Sequence, residues 1–154
     1  MSFVLSSPVT GAAVTGLTSP TYTVAVDSAP SYMKQYVVTG LGGTQTDVST
    51  HSVASPFLMS FQRPQQFKPL SLVNPMTGRL TSVPRNTWKQ IVLKGALPLA
   101  GQAAVPILFR GEWVIPAGVD TADPNEVRAF VSFIAGAMSS GANGIAQMFL
   151  DGVL

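Results

Sequence analysis

The apolar positions of this chain follow two periods in succession. From Thr21 to Ile115 they mostly alternate, as in strands with one buried face, and from Val127 onward they recur every three or four residues, as on a helix. In the first regime, Thr21-Tyr22-Thr23-Val24-Ala25-Val26 ends at the turn cluster Asp27-Ser28-Ala29-Pro30. The preceding stretch Val9 to Leu17, with Gly11 and Gly16, supplies a hairpin arm to pair with it. Gln35-Tyr36-Val37-Val38-Thr39 predicts a strand closed by Gly40-Leu41-Gly42-Gly43. Val53 to Gln62 predicts the next, with Phe57, Met59 and Phe61 on one face, Leu58, Ser60 and Gln62 on the other, and Pro64 as the stop.

Residues 64–84 hold four prolines and the turn Asn74-Pro75-Met76-Thr77-Gly78. They read as an excursion with short arms at Leu70-Ser71-Leu72 and Leu80-Thr81-Ser82-Val83. Asn86 to Lys94 and Val105 to Ile115 are the last two strands, and the loop Gly95-Ala96-Leu97-Pro98-Leu99-Ala100-Gly101-Gln102 joins them. Asp123-Pro124-Asn125-Glu126 then carries the marks of a helix start, with Asp as N-cap and Pro at the first helical position. Val127, Phe130, Val131, Ile134 and Met138 form one apolar stripe behind it. Ser139-Ser140-Gly141 ends this helix, and a shorter one is predicted over Gly144 to Leu150. Strands first and helices last is an α+β order. The chain is expected to be a single domain, with a hairpin segment over residues 1–30, a sheet over 31–116 and helices over 122–154.

Composition changes what this fold must do. Only 10% of the 154 residues are charged, against the usual ~25%, and the mean hydropathy is +0.33. Such a surface belongs in a membrane or under copies of the same chain. No uninterrupted apolar run of about 18 residues exists, because Pro98, Gly101, Gln102, Pro106 and Arg110 break the best candidate. Met1-Ser2-Phe3-Val4-Leu5 lacks the basic and apolar regions of an export signal. Cysteine is absent, which excludes disulfides and thiolate metal sites. Oligomerisation is the reading that survives.

Charge points to the partner. Between Val48 and Gly111 there is no acid, whereas Arg63, Lys68, Arg79, Arg85, Lys89, Lys94 and Arg110 all fall there. A one-sign segment builds a positive field, whose natural complement is a polyanion. Enzyme chemistry has little to stand on. His51 is the one histidine, no carboxylate adjoins it, and Gly40-Leu41-Gly42-Gly43 is neither a dinucleotide fingerprint nor a phosphate-binding loop. No cofactor or metal is expected.

The last strands place the polar groups. In 105–115, Phe109, Trp113 and Ile115 suit a helix-packing face, while Leu108, Arg110, Glu112 and Val114 point away. In 86–94, Trp88, Gln90, Val92 and Lys94 share one face and Lys89, Ile91 and Leu93 the other, with the assignment open. Ser60, Gln62, Lys89 and Arg110 would then share an open sheet face, a surface suited to unpaired RNA.

An ordered set of features now resembles a known family. A strand ends at Phe61-Gln62-Arg63-Pro64, an aromatic–lysine strand contains Trp88-Lys89, a Gly/Pro loop follows, the last strand ends at Ile115-Pro116, and Asp123 to Val131 opens a helix pair. This resembles the coat protein of single-stranded RNA bacteriophages of the levivirus type. The resemblance implies an N-terminal β-hairpin over a five-stranded antiparallel sheet, with two C-terminal helices reaching across to a partner. Two sheets then join into a continuous ten-stranded surface in an intertwined homodimer. Such dimers build a quasi-equivalent icosahedral shell around the RNA genome in the bacterial cytoplasm, and bind an operator hairpin to repress translation. By position, Ser60, Gln62, Lys89, Arg110 and Glu112 match RNA-facing sites, the stripe Val127 to Met138 the dimer interface, and Gly95 to Gln102 the loop that clusters at symmetry axes. The rival reading is a non-viral dimeric regulator that binds single-stranded nucleic acid on a sheet platform, which would display stacking aromatics on the open face.

Overall fold

The computed structural model describes residues 3–154. Its elements are β1 (Val9–Thr10), β2 (Leu17–Asp27), β3 (Met33–Gln45), β4 (Phe57–Gln62), β5 (Arg85–Ala96), β6 (Val105–Pro116), α1 (Val119–Ala122), α2 (Pro124–Ser140) and α3 (Ala142–Asp151). The strands form one antiparallel sheet in sequence order, five long strands with the two-residue β1 added beside β2. Neighbours in sequence are neighbours in space, so no crossover is needed, whether the connection is short, as between β2 and β3, or long, as between β4 and β5.

The structure moves several expected boundaries. The hairpin of the first 30 residues is short: Val9 and Thr10 pair with Tyr22 and Thr21, and its second arm is itself a strand of the main sheet. The glycine run does not close β3; Gly40 pairs with Thr23 and Gly42 with Thr21, so the strand continues to Gln45. A side chain at 42 would collide with the Thr21 hydroxyl, so glycine here permits close backbone approach rather than a turn. Bulges between Thr18 and Thr21 and between Thr23 and Val24 bend the same stretch. β4 starts at Phe57 rather than Val53, because Ser52 and Ser55 exchange hydrogen bonds in a turn (Ser52 N to Ser55 O and Ser55 N to Ser52 Oγ, both 3.0 Å).

At the other end, Gly95 and Ala96 belong to β5, paired with Pro106 and Val105, so the connecting loop spans 97–104 rather than beginning at Gly95. The helix start is also built differently. The unforeseen turn α1 runs directly into α2, so Asp123 ends one helix and begins the next. Its N–H donates to Val119 O at 2.9 Å, and its carboxylate makes no cap bond. α2 stops at Ser140 as expected, and α3 begins two residues earlier than predicted, at an angle of 58° to α2.

The excursion is a formed structure. Val73 bridges Leu80, Asn74 N donates to Arg79 O at 2.9 Å, and the Asn74 side chain accepts from Met76 N at 2.9 Å. At its root, Asn86 makes a two-pronged clamp: Lys68 N donates to Asn86 Oδ1 at 2.8 Å and Asn86 Nδ2 to Lys68 O at 3.0 Å.

The core is small for a chain of this length. Among the described residues, Tyr36, Val38 and Ala117 are the buried apolar side chains apart from Pro20, and neither α2 nor α3 buries a single residue. Helical stability in proteins comes mainly from packing an amphipathic face, and here that face lacks most of its cover.

Candidate nucleic-acid interface and assembly surfaces

The pairing register sorts every strand residue onto one of two faces. One row across the sheet is Met33, Gln62, Lys89 and Glu112; the next is Asp27, Gln35, Ser60, Ile91 and Arg110. Directly opposite residues share a face, and the period is two. Ser60, Gln62, Lys89, Arg110 and Glu112 therefore lie together, on the side away from the helices. Lys89, Arg110 and Glu112 are exposed and Gln62 is half-buried, whereas Ser60 is only 4% exposed and forms part of the floor.

The electrostatics of this face are mixed. Lys89 Nζ stands 3.8 Å from Glu112 Oε1, the one ion pair among the described residues, with both side chains more than half exposed. An exposed pair of this kind is easily exchanged for another partner. At the sheet margin Gln35 Nε2 donates to Asp27 Oδ2 at 2.7 Å and Ser28 N to Asp27 Oδ1 at 2.8 Å. The Gln35 bond first, and the Ser28 N–H second, hold the Asp27 carboxyl below its ordinary pKa.

The positive segment does not all face one way. Arg85 joins Lys89 and Arg110 on this side, four residues before Lys89 on the same strand. Lys94 lies on the other side, 5.0 Å over the Phe57 ring, and donates to Ser49 Oγ and Gly95 O. Its partial burial lowers its pKa. Lys68 and Arg79 belong to the excursion. Arg85 was legible from alternation alone, whereas Gln35 joins the set only through a register that sequence does not specify. The face also carries an aliphatic row, Val37, Leu58, Leu93 and Leu108.

The opposite face is aromatic. Trp88 pairs with Trp113, and the row Tyr36, Met59, Val92 and Phe109 follows. This settles the open assignment in β5: Trp88, Gln90, Val92 and Lys94 are on the helix side. Phe3 packs on Phe61 at 4.5 Å between ring centroids, and Phe130 meets Trp113 edge-on at 6.0 Å and 87°. Between the α2 stripe and the sheet runs an open groove of about 1130 Å³, lined by Phe61, Trp113, Val127, Val131, Ile134 and Met138 among others. Phe130 remains 47% exposed, and Val131 and Met138 are similar. No strand among the described residues pairs with the outer edge of β6, where Val105, Ile107, Leu108, Phe109 and Val114 are all exposed. His51 serves the local structure: its Nδ1 accepts from Phe57 N at 3.0 Å and its own N–H donates to Val38 O at 2.8 Å.

Neither a protein-family model nor a curated protein matches the sequence. A solved structure does: the virus-like particle of bacteriophage ESE020 is 45% identical, aligns over 99% of this chain and 100% of that chain, and superposes with a TM-score of 0.93. The chain belongs to the coat-protein family of single-stranded RNA bacteriophages. As a coat protein it is a structural component of the virion capsid, not an enzyme. The coat-protein fold explains the thin core: a sheet with one aromatic and one polar face, and helices whose apolar side is left uncovered in the single chain. Family membership also displaces the regulator reading, and Trp88, its only stacking candidate, faces the helices.

Proposed function

We propose that this coat protein is an obligate homodimer that assembles into an icosahedral shell around single-stranded RNA in the host cytoplasm, with residues 1–154 acting as one coat-protein domain. The carrying observation is the pair of uncovered surfaces: the apolar stripe of α2 over an open groove, and the bare edge of β6. A long exposed apolar edge invites pairing with a second sheet, and a two-fold axis along β6 would make ten long strands continuous. The stripe Val127, Phe130, Val131, Ile134 and Met138 then packs on the partner's aromatic face, as obligate interfaces do. The loop at 97–104, with the neighbouring Gly95 and Ala96, is the inter-dimer contact around the symmetry axes.

RNA lies against the open face. Lys89, Arg110 and Arg85 neutralise phosphates, Gln62 hydrogen-bonds bases or sugars, and Glu112 orients Lys89 until phosphate displaces it. Ser60 shapes the floor. Operator-hairpin binding and translational repression belong to the same face. Particles of the parent and of the Lys89→Ala/Arg110→Ala variant, purified and measured by absorbance ratio and electron microscopy, test this reading. Intact shells with less RNA are expected, and equal RNA content in both overturns the assignment of these side chains.

A further inference from the structure

The excursion between β4 and β5 has a formed apolar tip that neither the sheet nor the helices of its own chain cover. Leu72 is 92% and Met76 91% exposed, and Val73, Leu80 and Val83 are also exposed. This is not a slack linker. The Val73–Leu80 bridge, the Asn74 turn and the paired Ser71 and Ser82 hydroxyls at 3.3 Å shape the tip, and the Asn86 clamp fixes its root to the sheet. Phe67 against Trp88 at 5.8 Å, and Leu70 against Gly118, add packing at the root. A preformed apolar projection presents its surface with little ordering cost on binding.

Charge indicates what it meets. Residues 64–84 contain Lys68 and Arg79 but no acid. The helix start on the same side of the sheet carries Asp120, Asp123 and Glu126, and none of these five groups forms an ion pair among the described residues. One chain thus displays an apolar tip that carries Arg79 and, at the helix start, three acids outside any ion pair among the described residues. The ESE020 particle protein aligns along its whole length with this chain, so a chain matched through the excursion does assemble.

We infer that the excursion tip, centred on Leu72, Met76 and Arg79, is a contact between dimers in the shell, and that its partner is a second copy of this chain outside the dimer. The inference rests on the dimeric coat-protein reading above, and its test keeps the two apart. The chain has no cysteine, so Met76→Cys offers a single attachment point for a benzophenone photocrosslinker. Isotope-labelled and unlabelled dimers are co-assembled, illuminated and digested, with free dimers as the control. Crosslinks joining labelled to unlabelled chains in particles, and absent from free dimers, are the expected result. Crosslinks confined to one chain or one dimer, or adducts to RNA alone, overturn it. In parallel, Leu72→Ser/Met76→Ser should leave the dimer intact by light scattering and reduce shell yield at least tenfold. Normal shells overturn the contact, and so does loss of the dimer, which would move the tip into the dimer interface.

Discussion

Truncating Phe130 to alanine measures the proposed dimer most directly. In the single chain this ring touches Trp113 edge-on and keeps 47% of its surface exposed. A phenylalanine offers roughly 150–250 Å² for burial, so about 90 Å² remains for a partner to cover. At ~25 cal/mol per Å² that area contributes about 2 kcal/mol per subunit. Two-fold symmetry presents the site twice, which raises the loss on truncation to about 4 kcal/mol per dimer, or about three powers of ten in the dissociation constant. Dimers released from shells, diluted and followed by sedimentation equilibrium or by exchange with labelled subunits, report that constant. A Phe130→Ala dimer that dissociates within about threefold of the parent refutes the packing of α2 on the partner. Phe130→Asp goes further, since a carboxylate forced into an apolar interface is left without a partner, and no dimer should form.

Other outcomes follow from the same contacts. Lys89→Ala should reduce the salt dependence of RNA binding by about 0.7 in the log–log slope, the share of one phosphate contact on single strands; an unchanged slope removes Lys89 from the RNA face. Asn86→Ala leaves the Lys68 N–H and C=O without their partners and should cost about 1–3 kcal/mol in stability, read as a lower Tm; a Tm within error of the parent means the clamp is dispensable. Asp27 has a depressed folded pKa, so its contribution is present above the unfolded value and is lost as pH falls through the folded one. Gln35→Ala should raise that pKa in carbon-detected NMR titration, and an unmoved titration would remove Gln35 as a cause of the depression.

How far the sequence could be read depended on the range of the interaction involved. Strand alternation placed Phe57, Met59 and Phe61 against Leu58, Ser60 and Gln62 correctly, because the period of a strand is local. The helix stop at Ser140 was visible for the same reason. The glycine run of β3 was misread because its meaning lies across the sheet, at Thr21 and Thr23, where room is needed. Asp123 carries the composition of an N-cap, yet a preceding turn occupies its backbone and leaves its carboxylate free. The face of β5 was undecidable from its own residues and was fixed only by the pairing of Trp88 with Trp113. The positive segment looked uniform in one dimension, but a strand sends alternate cations to opposite sides, so Lys94 and Lys89 part company.

The near-empty interior of α2 and α3 has a kinetic corollary. If a second chain supplies the missing cover, the final step of folding is a collision between two molecules rather than an event within one. Its half-time shortens as newly made protein accumulates, so the pace of translation governs when usable building blocks appear. At low expression a newly made chain waits with its apolar stripe in water, and at high expression maturation and shell growth draw on the same encounters.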